Sequence, residues 1–122
     1  MKSLTFQREL RLLTPSQFSR IFDHPIKAVS DHFTLLAKFN DNEHPRLGLT
    51  IAKKKEKTAV GRNRIKRVIR ESFRLNQHNM PNIDIVVLAR DKIGDADNQQ
   101  LHKQLNKLWK KIALRSEQSL RS

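Results

Sequence analysis

The stretch from Lys53 to Arg74, KKKEKTAVGRNRIKRVIRESFR, sets the strongest limit on how this chain can fold. Wound as a helix, it brings Gly61, Ile65, Val68, Ile69, Ser72 and Phe73 onto one apolar or small face. Asn63, Arg67, Arg70 and Arg74 line the opposite face at spacings of four, three and four. The apolar face has to be buried against a core, so the segment is not a solvated tail. The other face offers guanidinium forks and an amide to an anionic polymer. A charged helix face is ordinarily solvated and mixed in sign. Here Glu71 is the one local counter-charge to Arg62, Arg64, Lys66, Arg67, Arg70 and Arg74, which favours a polyanion as the partner.

The rest of the composition agrees. A formal net charge of +13 on 122 residues opposes compaction and points to a polyanionic partner: nucleic acid, anionic membrane or an acidic protein. No apolar run approaches the roughly 18 residues of a membrane span, and no hydrophobic signal region follows Met1. A membrane-surface anchor fits poorly, because the basic residues belong to an alternating helix and strand pattern. There is no Cys, hence no disulfide, thiolate metal site or Cys nucleophile, and a cytoplasmic location is expected.

Along the chain, Thr14-Pro15-Ser16-Gln17 reads as an N-cap with Pro at the first helical position and Gln as its capping-box partner. The helix it opens carries Phe18, Ile21 and Phe22 on one face and stops before Pro25. A short edge strand is expected near 26–29. In 33–39, Phe33, Leu35, Ala37 and Phe39 point one way and Thr34, Leu36 and Lys38 the other. The polar turn at 40–45 then makes 47–53 the second arm of a hairpin, with Leu47, Leu49 and Ile51 on its apolar face and Gly48, Thr50 and Ala52 on a face of small residues. The basic helix follows, from Thr58 or Ala59 to Asn76. Residues 83–89 read as a strand buried inside the sheet. Asp95 or Asp97 caps a last helix with the stripe Leu101, Leu105, Leu108, Trp109 and Ile112, and a frayed tail is expected at about 116–122. The expectation is one α+β domain spanning 1–122.

The hairpin's small-residue face suggests a surface for single-stranded RNA, since it stays flat enough for close approach and leads through Lys53 and Lys54 into the basic helix. Phe18 and Phe22 have helical spacing, which fits core packing as well as a stacking platform. Phe33 and Trp109 are assigned to the core. Nothing supports a catalytic site made of side chains. His24, His32, His44, His78 and His102 are scattered, Asp95 and Asp97 read as helix caps, and Asp84, near Arg90, reads as structural. No P-loop, nucleophile elbow or metal-binding His pair is present.

Arg62-Asn63-Arg64-Ile65-Lys66-Arg67, preceded by a strand ending Ala52-Lys53-Lys54, closely resembles the RNR signature of the bacterial ribonuclease P protein family. Arg8-Glu9-Leu10-Arg11-Leu12 through Phe18 and Phe22 is similar to that family too, and RELRLLTPSQF with RNRIKRVIRESFRLNQH resembles its gammaproteobacterial members. The resemblance covers nearly the whole chain. It implies an α+β fold of order α-β-β-β-α-β-α, a four-stranded sheet and a left-handed β-α-β crossover through the basic helix, against the general right-handed rule. It also implies a subunit that works with a catalytic RNA to remove the 5′ leader of precursor tRNA. The RNA would hold the catalytic Mg²⁺ and carry out the hydrolysis, and the protein would supply no catalytic residue and no metal ligand.

Carried over by position, the RNA-binding face is Arg62, Asn63, Arg64, Lys66, Arg67 and Arg70, with Arg74 continuing it. The leader cleft, between the first helix and the sheet, is Phe18, Phe22, Thr34, Leu36, Thr50 and Lys54, with Lys53 where the two surfaces meet. Leu36 stands where some relatives carry an aromatic ring, which implies apolar contact there in place of base stacking. Gly61 stands where relatives often carry a larger residue, and it is expected to loosen the helix start. The expected partners are the catalytic RNA and precursor tRNA, with one protein monomer per RNA and no membrane. The alternatives are a ribosomal or RNA-chaperone-like module with no processing role, and a DNA binder reading a major groove. The latter is disfavoured because no second helix precedes the basic one at turn spacing.

Overall fold

The aliphatic run Ile83–Ala89 forms strand β4, whose residues 83–87 are fully buried. A strand buried on both faces needs partners along both edges to satisfy its backbone, and β4 has them. The computed structural model describes residues 14–41 and 43–121, so Arg8–Leu12, which carries part of the family resemblance, lies outside the described residues. Around β4 stand helix α1 (Pro15–Ile21), strands β1 (Ile26–Val29), β2 (Phe33–Phe39) and β3 (Arg46–Thr50), helix α2 (Ala59–Asn76) and helix α3 (Asn98–Arg121). The element order and the four-stranded sheet are those expected.

The sheet order is β1-β2-β4-β3. β1 pairs with β2 and β2 with β4, both antiparallel, whereas β3 pairs with β4 in parallel, joined to it by the α2 crossover. This corrects the hairpin expected across 40–45, because β2 and β3 are not neighbours and β4 lies between them. Alternation assigns each strand's faces but not its neighbours, and the doubly apolar β4 takes the centre. The local hairpin is β1–β2, closed by the Ser30 N–H donating to the Phe33 carbonyl at 2.9 Å.

The main core lies between the sheet and the pair α2 and α3. Phe33, Leu35 and Ala37 meet Ile65, Ile69 and Phe73 of α2 and Leu101, Leu105 and Ile112 of α3. Phe73 and Trp109 pack edge to face with ring centroids 5.9 Å apart, and the indole Nε1–H donates to the buried Ser72 Oγ at 2.8 Å. Asp97 caps α3 by accepting the Gln100 N–H at 2.8 Å. The tail expected to fray from about 116 is helical through Arg121, and the buried Ser116 hydroxyl donates to the Ile112 carbonyl at 2.7 Å. A smaller cluster on the other face joins Ile21 of α1 to Leu36 and Val86, with Phe18 and Leu88 at its margin.

Candidate nucleic-acid interface

α2 begins where Thr58 caps it, its side chain accepting the Gly61 N–H at 3.0 Å. The face opposite the buried Ile65, Val68, Ile69, Ser72 and Phe73 is an open groove of about 360 Å³ lined by Asn63, Arg67, Arg70, Glu71 and Arg74. The tetrad read from the sequence is therefore assembled by helical spacing alone. Arg67 and Arg70 are exposed and have no ion-pair partner among the described residues, while Arg74 is paired with Glu71 at 3.0 Å. Like charges three and four residues apart on a helix each cost a few tenths of a kcal/mol (about 0.2–0.5), so the free protein holds this face at some expense in stability.

Arg62 and Arg64 are half-buried and turn toward the protein. Arg62 Nη1 donates to the carbonyls of Glu56 and Lys57 at 3.0 and 2.8 Å. Arg64 Nη1 donates to Asn98 Oδ1 at 2.7 Å and its Nη2 to the Ala96 carbonyl at 3.1 Å. All of these acceptors are neutral. Lys66 is half-buried.

Gly61 lies against the Glu56 side chain. A Cβ there would lie 2.5 Å from the Glu56 carboxyl carbon, and a Cβ at Gly94 would lie 2.1 Å from Glu56 Oε2. The Glu56 carboxylate fills the space between the two glycines and accepts from the Thr58 backbone at 3.1 Å. A side chain at either position would have to displace the flexible end of Glu56.

The second surface is on the α1 side of the sheet. Strand register sets its residues in rows. Val29, Thr34, Leu88 and Thr50 form one row, Lys27, Leu36, Val86 and Gly48 the next, and Lys38, Asp84 and Arg46 the third. α1 lies over the second and third rows. Leu36 is therefore only 7% exposed, packed with Ile21 and Val86, which corrects its expected place as an open cleft residue. Thr34 and Thr50 stay accessible in the uncovered row, together with Val29 and Leu88, which sequence patterning missed because their places depend on strand order. Phe18 is half-buried at the edge of the small cluster, Phe22 is 52% exposed just past the end of α1, and Lys53 and Lys54 are exposed beyond β3. Packing therefore falls to Ile21, a shared position to Phe18 and an open ring to Phe22.

α1 is fixed by a charge cluster that sequence patterning also missed. The Asp84 carboxylate is fully buried and accepts four hydrogen bonds: two from Arg46 at 2.7 Å, one from Arg20 at 2.7 Å and one from Asn40 at 2.8 Å. Arg20 also donates to the Phe39 carbonyl at 3.1 Å. Burial alone pushes the Asp84 carboxyl up, but the hydrogen bonds from Arg46, Asn40 and Arg20 outweigh it and hold the group below the usual carboxylate range. Asp84 is structural, as expected, through these partners and not through Arg90, which donates to the Ser30 carbonyl. The available signal was a lone acid inside an aliphatic strand, since a buried charge requires partners.

No helix among the described residues is long and apolar enough to cross a membrane. The family model described as Ribonuclease P matches residues 6–113. The chain is 59% identical over 112 residues to the ribonuclease P protein component of Pseudoalteromonas translucida, covering 92% of this chain and 80% of that one. Among solved structures it resembles the RNase P protein of Staphylococcus aureus, with a TM-score of 0.78 at 31% identity over 83% of this chain and 93% of that one. It also resembles the RNase P protein of Thermotoga maritima, with a TM-score of 0.74 at 31% identity over 83% and 96% of the two chains.

Proposed function

Because this chain belongs to the ribonuclease P protein family, we propose that it serves tRNA 5′ maturation by binding two RNAs at once, a catalytic RNA and the 5′ leader of precursor tRNA. The observation that carries this reading is the presence of two distinct surfaces, the arginine groove on α2 and the uncovered sheet row on the α1 side, with Lys53 and Lys54 on the segment between β3 and α2. The groove suits a folded RNA, because its guanidiniums can fork onto phosphates. The row of Val29, Thr34, Leu88 and Thr50 is apolar to weakly polar, with exposed lysines beyond one strand, as suits an extended single strand.

In this reading the phosphodiester hydrolysis belongs to the RNA subunit, and Mg²⁺ held by that RNA and the substrate supplies the chemistry when bound. The protein neutralises phosphates, raises affinity for leader-bearing over mature tRNA, and acts as one monomer per RNA in the cytoplasm. The test is reconstitution of the protein with the catalytic RNA and precursor tRNA at low Mg²⁺, where the protein should stimulate leader removal. No stimulation, or cleavage by the protein with RNA removed, would overturn the reading.

A further inference from the structure

The start of α2 is gripped from two sides. The segment 52–57 reaches it through the Arg62 guanidinium on the Glu56 and Lys57 carbonyls, and the segment 94–98 through the Arg64 guanidinium on Ala96 and Asn98. The segment 52–57 is also joined to the stretch 91–94. The Glu56 carboxylate is wedged between Gly61 and Gly94, and Lys55 is paired with Asp91. We infer that Arg62 and Arg64 are positioning residues, forming a clasp that fixes the Lys53–Lys54 segment against α2 and so sets the spacing between the groove and the leader surface. The contacts to catalytic RNA then fall to Asn63, Arg67 and Arg70, whose side chains are exposed.

Three observations carry this. Both guanidiniums are half-buried and aimed at neutral acceptors of the protein, whereas Arg67 and Arg70 point to solvent. The wedge sits between two glycines far apart in sequence, so it is a feature of the packed structure and not of the helix alone. The segment held by Arg62 follows the two exposed lysines directly, so its freedom becomes theirs.

The inference rests on the function proposed above, and its test separates the two. Arg62→Met removes the donors and the charge. Gly94→Ala expels Glu56 from its slot and leaves every arginine in place. In the protein alone, both should speed amide exchange at Lys55, Glu56 and Thr58, whose N–H groups are bonded within this segment, by about tenfold or more. With RNA, both should lower the preference for leader-bearing over mature tRNA several-fold, while the salt dependence of catalytic-RNA binding keeps its wild-type slope. A slope reduced by about one unit in Arg62→Met would make Arg62 a phosphate contact and overturn the assignment. Unchanged exchange in Gly94→Ala would overturn the clasp itself. If the wild-type protein shows no leader preference, the proposed function fails, and the exchange measurement still decides the clasp.

Discussion

Replacing Asp84 by Asn keeps the shape of the side chain and removes its charge, and it should lower the stability of the folded chain. In the native protein four hydrogen bonds, all 2.7–2.8 Å, converge on this fully buried carboxylate. An Asn amide offers one acceptor oxygen, and its NH₂ would face guanidinium donors. Removing one partner of a buried ion pair costs about 3–5 kcal/mol. Arg46 and Arg20 have side chains 18% and 45% exposed, so water can relieve them in part and the low end applies, about 3 kcal/mol. For a chain of this size that corresponds to a fall in Tm of about 10 °C. Urea denaturation followed by the fluorescence of Trp109, the chain's one tryptophan, measures it directly. The pH dependence gives a second check. The folded pKa of Asp84 is depressed, so its contribution is fully present above the unfolded value near 4 and is lost as pH falls through the folded value. The gap between wild type and Asp84→Asn should therefore be constant near neutrality and close below about pH 4. A loss under about 1 kcal/mol, or a gap that persists undiminished in strong acid, would refute the claim that this charge cluster seats α1.

On α2, Arg70→Gln relieves repulsion from Arg67, Arg74 and Lys66, so it should leave the free protein equally stable or a few tenths of a kcal/mol (about 0.2–0.5) more stable while weakening catalytic-RNA binding; a loss of stability in calorimetry would contradict this. Arg67→Ala should flatten the salt dependence of that binding by about one phosphate contact, and an unchanged slope would remove Arg67 from the contact set. At the end of α1, Phe22→Ala should weaken leader-bearing tRNA more than mature tRNA at little cost in stability, whereas Ile21→Ala, at a fully buried site, should cost about 2–4 kcal/mol in denaturation; equal losses of both tRNAs for Phe22→Ala would make it a packing residue. Ser72→Ala leaves the buried Trp109 indole N–H without its acceptor and should cost about 1–3 kcal/mol, with a shift in the tryptophan emission as the companion signal.

Much of this molecule follows from periodicity. The spacing of Ile65, Val68, Ile69, Ser72 and Phe73 fixes which side of α2 is buried, so the arginine groove opposite it is legible in the residue pattern itself. The Thr14 and Asp97 caps and the α3 stripe are equally local, because each depends on residues within a few positions of one another. The RNR residues carry the family. Local patterning could not order the strands: 33–39 and 46–50 look like hairpin arms, yet the need of β4 for two neighbours draws it between them.

Everything that depends on strand order is out of reach for the same reason. The row of Val29, Thr34, Leu88 and Thr50 joins residues from four strands, and Leu36, in the next row, is buried because α1 lies across it. The direction of the Arg64 side chain is decided by acceptors on a loop that the helix meets only when folded. By itself the sequence determined a basic helix with one face committed to a core and the other to a polyanion, because helical geometry couples those faces at short range. The tertiary structure decided which charges remain available, because long-range packing sets whether a guanidinium meets solvent, a buried carboxylate or the protein's own backbone.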